Sequence, residues 1–223
     1  MKRFRWKKHL TKNYMFKLLI FTLLLAPLFL KAQAGFAPCK DEVTFRKHYA
    51  DASKKLNTLK CNFVQEKSIS MLKNKLVSYG EFSFKKNAML RMEFKQPYAY
   101  LFILNGENVY ILDNQKKTQV STGSNKLFKK ISQITVGSVN GEILSGGDFK
   151  SRIFESESQY LLELTPTNKE IKGFFTQFHI FIGKSDNLVD KIEMSETSGD
   201  KTVLTFKEKQ INTPLSDALF SLK

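Results

Sequence analysis

Residues 77–113 read VSYGEFSFKKNAMLRMEFKQPYAYLFILNGENVYILD, and the alternation in this stretch decides the fold. In Val77–Lys85, Phe82 and Phe84 stand on one face against Tyr79, Glu81 and Ser83 on the other. Met89–Lys95 puts Leu90, Met92 and Phe94 on one face and Arg91 and Glu93 on the other, the pattern of a strand buried on one side only. Residues 98–104, YAYLFIL, are apolar on both faces, which predicts a strand covered on two sides. Asn105-Gly106 is a tight-turn signal before Val109–Leu112, and Asp113-Asn114 ends that strand. Four short strands joined by tight turns predict an antiparallel meander.

Upstream, 43–60 (VTFRKHYADASKKLNTLK) repeats its apolar residues at three- and four-residue steps, Val43, Tyr49 or Ala50, Ala52, Leu56 and Leu59, and reads as an amphipathic helix. Cys61–Ser68 then starts an extended segment with Phe63 toward the core. Downstream, Gly123, Gly137, Gly141, Gly146 and Gly147 break the pattern, while Leu127, Phe128, Ile131 and Ile134 keep helical spacing and predict a helix over the sheet. A short helical candidate at Phe149–Phe154 precedes four more strands, Tyr160–Thr165, Phe174–Ile182, Leu188–Met194 and Thr202–Lys207. The tail Ile211–Phe220, with Leu215, Leu219 and Phe220, reads as a last packing piece. The expected fold is mainly β with α: a strongly curved antiparallel sheet of roughly seven to nine strands, with about three helices against its concave apolar face.

The chain has 223 residues and a formal net charge of +15, which by itself suggests a nucleic-acid or anionic-membrane partner. The charge is concentrated at one end. MKRFRWKKHLTKNYMFK carries seven basic residues and no acid, Leu18–Leu30 is almost continuously apolar, and Ala32-Gln33-Ala34 has cleavage-site spacing. Residues 1–34 therefore read as a signal peptide cut before Gly35, with Met15 a second plausible start, and 35–223 as a single domain. Removing the eight basic residues of 1–34, which hold no acid, lowers +15 to +7. The remaining lysines are dispersed, as in Lys54-Lys55 and Lys129-Lys130, without the aromatic interleaving that stacks bases, so no nucleic-acid partner is expected. An exported location lets Cys39 and Cys61 pair as a disulfide; the alternative is two isolated thiols.

Catalytic and cofactor patterns are not found. His9, His48 and His179 have no zinc spacing, Gly141 and Gly146-Gly147 lack the lysine and helix of a phosphate loop, and no serine sits in a nucleophile elbow. Asp41, Glu42, Asp186 and Asp190 read as surface charge. No enzyme activity, metal or cofactor is expected. What stands out is the aromatic load, 20 Phe in 223 residues. An ordinary core explains it; the alternative is an apolar groove lined by Phe82, Phe84, Leu90, Met92, Phe94, Phe102 and Leu104 and capped by Leu127, Phe128 and Ile131, suited to acyl chains.

Three blocks together resemble the LolA family of periplasmic lipoprotein carriers: the amphipathic helix followed by Phe63-Val64-Gln65; the 77–113 stretch with Gly80, Gln96, Pro97 and Gly106; and YLLELTPTNKEIKGFFTQFHIFI with the ending NTPLSDALFSL. The resemblance implies an incomplete antiparallel barrel closed by helices. It also implies a periplasmic monomer that holds lipoprotein acyl chains in the cavity, receives them from an inner-membrane release complex and passes them to an outer-membrane receptor or acceptor membrane. An envelope sensor or receptor of the same fold is the alternative. Where family members often carry an arginine and a proline after the first strand, this chain has Lys86-Asn87. The resemblance makes Lys86 the lid-control residue, with the charge kept but the planar five-donor fork lost.

Overall fold

The computed structural model describes residues 35–114, 116–121, 134–139, 141–144 and 146–222. The chain divides into two compact units, Met1–Gly35 and Phe36–Lys223, and the second holds the fold described below. The expected signal peptide 1–34 and the proposed cap residues Leu127, Phe128 and Ile131 lie outside the described residues.

Among the described residues, twelve strands form one antiparallel sheet: β1 (Ala37–Pro38), β2 (Thr58–Ser68), β3 (Leu76–Lys85), β4 (Met89–Gln96), β5 (Tyr100–Asn105), β6 (Asn108–Asp113), β7 (Lys116–Ser121), β8 (Phe149–Glu155), β9 (Gln159–Pro166), β10 (Phe175–Gly183), β11 (Val189–Glu196) and β12 (Lys201–Ile211). Their order is β1-β8-β9-β10-β11-β12-β2-β3-β4-β5-β6-β7. Two meanders are thus joined where β12 meets β2, with Phe206 opposite Phe63 and Leu204 opposite Gln65.

This corrects the expected incomplete, strongly curved barrel. The sheet is open, and β1 and β7 are edges that pair with no further described strand. Neither edge is built to close: β1 is two residues ending in Pro38, which has no amide to donate, and β7 carries exposed Lys116 and Lys117. The segment 149–154, expected as a helix, is strand β8, because Phe149, Ser151 and Ile153 alternate with Lys150, Arg152 and Phe154 and the ladder to β9 satisfies its backbone.

Helix α1 (Glu42–Lys55) starts at Asp41, whose carboxylate accepts from the Thr44 amide at 2.9 Å. It ends five residues before the expected Lys60. The Asn212 side chain donates to the Lys55 carbonyl at 3.1 Å and accepts from the Asn57 amide at 2.8 Å, which turns the chain into β2. Among the described residues, a helical piece at 134–139 (α2), 3-10 turns at Glu142–Leu144 and Asp217–Phe220 and the short helix α3 (Lys169–Lys172) complete the helices.

One core holds most buried side chains: Phe45 and Tyr49 of α1, Ile134 and Val139 of α2 and Ile143 pack on the alternate residues of β2–β6 and β8–β12. On the opposite face, Leu101 and Ile103 of β5 pack with Phe220, Leu215 and Leu219 from the tail, so β5 is covered on both sides as its sequence predicts. Lys85 Nζ donates to the Leu215 carbonyl at 2.9 Å, Arg91 to the Leu219 carbonyl at 3.1 Å and Asn105 to the Phe220 carbonyl at 3.2 Å, fixing the tail across β3, β4 and β5.

The expected disulfide is absent: Cys39 and Cys61 are both free thiols. The Cys39 amide donates to the Ile153 carbonyl at 3.0 Å, which holds the residue against β8, whereas Cys61 is a mid-strand residue of β2 opposite Phe82. The sheet order puts β9, β10, β11 and β12 between those two strands. Burial raises both thiols, pushing Cys61 up to about 12, so neither is a ready thiolate.

Candidate functional site

The helix-covered face of β2–β6 carries three cross-strand rows of apolar side chains. In the first, Leu59, Phe84, Leu90, Leu104 and Val109 stand opposite one another across successive strands. In the second, Cys61, Phe82, Met92, Phe102 and Ile111 do so, and in the third Phe63, Gly80, Phe94 and Tyr100. The period of two that made these residues legible in sequence is what aligns them here.

The rows differ in exposure. All five side chains of the first are buried. In the second Cys61 and Phe82 are buried but Met92, Phe102 and Ile111 are partly open, and in the third Phe94 and Tyr100 are partly open. The first row lies beside the 86–88 and 106–107 turns, and the third beside the 97–99 turn. Apolar surface therefore becomes accessible along one direction, from a sealed floor toward the end of the sheet that holds the 97–99 turn.

Aromatic contacts fix the third row. The Phe63 and Phe94 rings meet edge to face at 4.9 Å, and Phe94 meets Tyr100 the same way at 5.6 Å. Gly80 makes this possible: a Cβ there would lie 2.2 Å from the Glu93 carbonyl oxygen and 2.7 Å from the Phe63 ring. A cavity of about 550 Å³ lies at this end, lined by Phe94, Ala99, Tyr100 and Asn114 and, from the opposite face of the sheet, by Arg91, Glu93, Leu101 and Leu112. Its size is within the range of small-molecule pockets. A second, of about 230 Å³, lies between Ile134, Gly137, Ile143, Phe149 and Ile171, also beside turns at that end. The opposite end has a cavity of about 460 Å³ with a mixed lining, His48, Asp51, Lys55 and Asp186 beside Ala52, Leu56, Leu188 and Ile211.

The helical cover is latched by polar contacts that sequence reasoning missed. The Tyr49 hydroxyl donates to the Ser138 carbonyl, and the Ser138 hydroxyl donates to the Ile134 carbonyl at 2.7 Å. Burial of Tyr49 raises its phenol well above the ordinary value, so it stays a donor. Gly141, at φ +75°, lets the 141–144 turn approach α1, since a Cβ would meet Ser53 Oγ at 2.9 Å. Tyr49 was read from sequence only as a helix-face residue, and nothing in its spacing names a carbonyl 89 positions away.

The structure brings Phe82, Phe84, Leu90, Met92, Phe94, Phe102 and Leu104 together in one cluster. Lys86 lies elsewhere: its Nζ donates to the Lys54 carbonyl at 2.5 Å, and its amide donates to the Asn57 carbonyl at 2.9 Å, so its described contacts are with the end of α1. A lysine on the last carbonyls of a helix is favourable for the helix dipole. Among the described residues, no group of three or more His, Cys, Asp or Glu side chains could hold a metal ion.

The sequence profile of the family described as outer membrane lipoprotein carrier protein LolA matches residues 54–223. An outer-membrane lipoprotein carrier protein of Cupriavidus taiwanensis is 27% identical over 150 residues, which span 64% of this chain and 65% of that protein. Among solved structures, a LolA superfamily protein of Nitrosomonas europaea matches at 12% identity and a TM-score of 0.43, over 80% of this chain and 96% of that one. The lipoprotein LppX of Mycobacterium tuberculosis matches at 13% identity and a TM-score of 0.45, over 78% and 96%. The chain spans about 65% of the length of that curated relative, and with three quarters of its own length matched by the family profile it belongs to the LolA family of outer membrane lipoprotein carrier proteins, with its place in the periplasm.

Proposed function

We propose that this protein carries lipoproteins between the two membranes by holding their acyl chains against the three apolar rows under α1 and α2. The single observation that carries this reading is the gradient of exposure from Leu90 and Leu104 to Met92, Phe102 and Phe94 within one contiguous apolar cluster. A sealed floor with an accessible outer end suits a flexible hydrocarbon: each methylene buried gains about 0.8 kcal/mol without a directional bond. Met92 and Phe102 supply adaptable contact area. Leu127, Phe128 and Ile131 complete the cap in this reading, and Lys86 acts on it indirectly by holding the end of α1 against the β3–β4 turn.

Residues 1–34 direct export and are removed before Gly35. The carrier works as a monomer, takes cargo from an inner-membrane release complex and gives it to an outer-membrane receptor or acceptor membrane, with no chemistry of its own. The test is to express the full chain for export and record native mass spectra of the recovered protein with and without a co-expressed lipoprotein. A one-to-one complex that disappears when the lipoprotein's lipid-bearing cysteine is replaced supports acyl carriage. A complex that survives that replacement, or none at all, rejects it.

A further inference from the structure

The large hydrophobic side chains that remain in solvent are not scattered. Of the nine exposed among the described residues, five belong to the β2–β3 hairpin: Met71, at 92% exposure, with Leu72, Leu76, Val77 and Tyr79. Two more, Tyr98 and Phe174, stand in the turn after β4 and just before β10. Antiparallel order puts all these positions at one end of the sheet, where β2, β4, β9 and β11 end and β3, β5, β10 and β12 begin.

Hydrogen bonds tie the turns into one rim. The Ser70 amide donates to Asp200 at 2.9 Å and its hydroxyl to the Ser198 carbonyl at 3.3 Å, while the Thr197 amide donates to the Phe174 carbonyl at 3.0 Å. Tyr79 lies opposite Gln96, next to the turn that displays Tyr98. The rim stands at the end toward which the apolar rows open.

The hairpin is the basic part of this rim. Residues 67–79, KSISMLKNKLVSY, contain three lysines and no acid. The nearest carboxylates are met, Glu66 by Lys75 at 2.9 Å, Glu196 by Lys67 at 3.3 Å and Asp200 by the Ser70 amide at 2.9 Å, and Glu170 lies between Lys169 and Lys172. Lys73 at the tip is exposed between the apolar residues, and Lys169 and Lys172 precede Phe174. Isolated exposed apolar residues need no explanation, but seven of them gathered at one end of the sheet with Tyr and Lys interspersed is the composition of a membrane-interface contact.

We propose that this rim is a membrane-docking surface, with Met71 and Leu72 entering the acyl boundary of an anionic phospholipid bilayer, Tyr79 and Tyr98 at the headgroup level, and the lysines facing the phosphates. The inference goes beyond the cargo reading and does not need it, because no lipoprotein takes part in its test.

The full chain is expressed for export, its recovered mass is measured, and it is floated with vesicles of phosphatidylethanolamine and phosphatidylglycerol and, separately, of phosphatidylcholine alone. The native protein is expected to float with the first in a salt-sensitive way, and Met71→Glu with Leu72→Glu to reduce the floated fraction about tenfold. Val43→Glu, an exposed position away from the rim, is the control and should float as the native protein does. Tyr98→Glu, in a different turn, repeats the test should the hairpin variant lose its native melting transition. The proposal is overturned by a native protein that stays unbound or prefers the neutral vesicles. It is equally overturned by hairpin and Tyr98 variants that float unchanged, or by a concentration-dependent dimer that the hairpin variant abolishes, since a second copy would then be the rim's occupant.

Discussion

Strand β5 is equally apolar on its two faces, yet the protein treats them in opposite ways. On one face Leu101 and Ile103 are shut beneath Phe220, with Ile103 and Phe220 both at 0% exposure and the tail held by donors from three strands. On the other, Leu104 is buried but Phe102 and Tyr100 are partly open. An apolar face thus gives a fixed seal where the C-terminal tail lies across it with many anchors. It gives an accessible surface where the cover is partial. The seal belongs to stability; the graded face is the one we propose for cargo.

The largest effect should come from breaking the floor of the graded face. Leu90→Glu puts a carboxylate at a position only 1% exposed, against Phe84 and Leu104, and should leave no cooperatively folded protein by circular dichroism. Retention of a native melting transition would mean that this row is looser than its burial implies. Phe220→Ala breaks the seal and should cost about 3–5 kcal/mol in urea denaturation, without a selective loss of acyl binding in the fraction that stays folded. A variant with native stability would show that the tail is not what covers Ile103.

Met92→Glu sharpens the contrast, since Met92 lies one row out from Leu90 and is partly open. It should change the denaturation midpoint far less than Leu90→Glu while weakening binding of a fluorescent acylated peptide at least tenfold, as about 1.4 kcal/mol is lost for each decade. Equal losses of stability in the two variants would erase the distinction between floor and surface. A smaller effect is expected of Tyr49→Phe, which removes one buried hydrogen bond to the Ser138 carbonyl and should cost about 1 kcal/mol. Its signature is local: amide exchange of 134–139 should quicken while that of β5 does not.

The strands of this comparison were legible where a short-range pattern carries them. Phe82, Phe84, Leu90, Met92, Phe94, Phe102 and Leu104 could be named because a period of two is a property of neighbours in sequence, and so could the two-sided cover of β5. β7 was invisible because KKTQVS is a polar edge, and β8 was misread because six residues of FKSRIF fit a helix or a strand equally until β9 lies beside them. The early end of α1 depends on Asn212, and the latch of its cover on Ser138, both far away in the chain. The disulfide was inferred from compartment and count, but pairing is decided by distance across the sheet, which neither specifies. Exposure likewise is a property of what lies above a strand, so floor and surface could not be told apart beforehand.

The same face of the sheet that the tail seals at β5 is handled differently at β8–β11, and this gives the smallest predicted effect. There Arg152, Glu163, His179 and Glu193 stand opposite one another on successive strands as a charged row in place of an apolar one. Glu193 is held well below its ordinary value of 4.5, first by the hydrogen bond from His179 and then by Lys201 and Lys191, against the opposing effect of burial. A carboxyl whose pKa is lower folded than unfolded contributes stability that is fully present above the unfolded value and is lost as pH falls toward the folded one. Stability should therefore be insensitive to Glu193 ionisation at neutral pH and decline progressively below about pH 4.5. In Glu193→Gln the slope of the denaturation midpoint against pH should be shallower in that acid window, whereas Phe220→Ala should shift the whole curve without changing its slope. Parallel curves for Glu193→Gln and the native protein would show that Glu193 ionisation does not set the decline in acid.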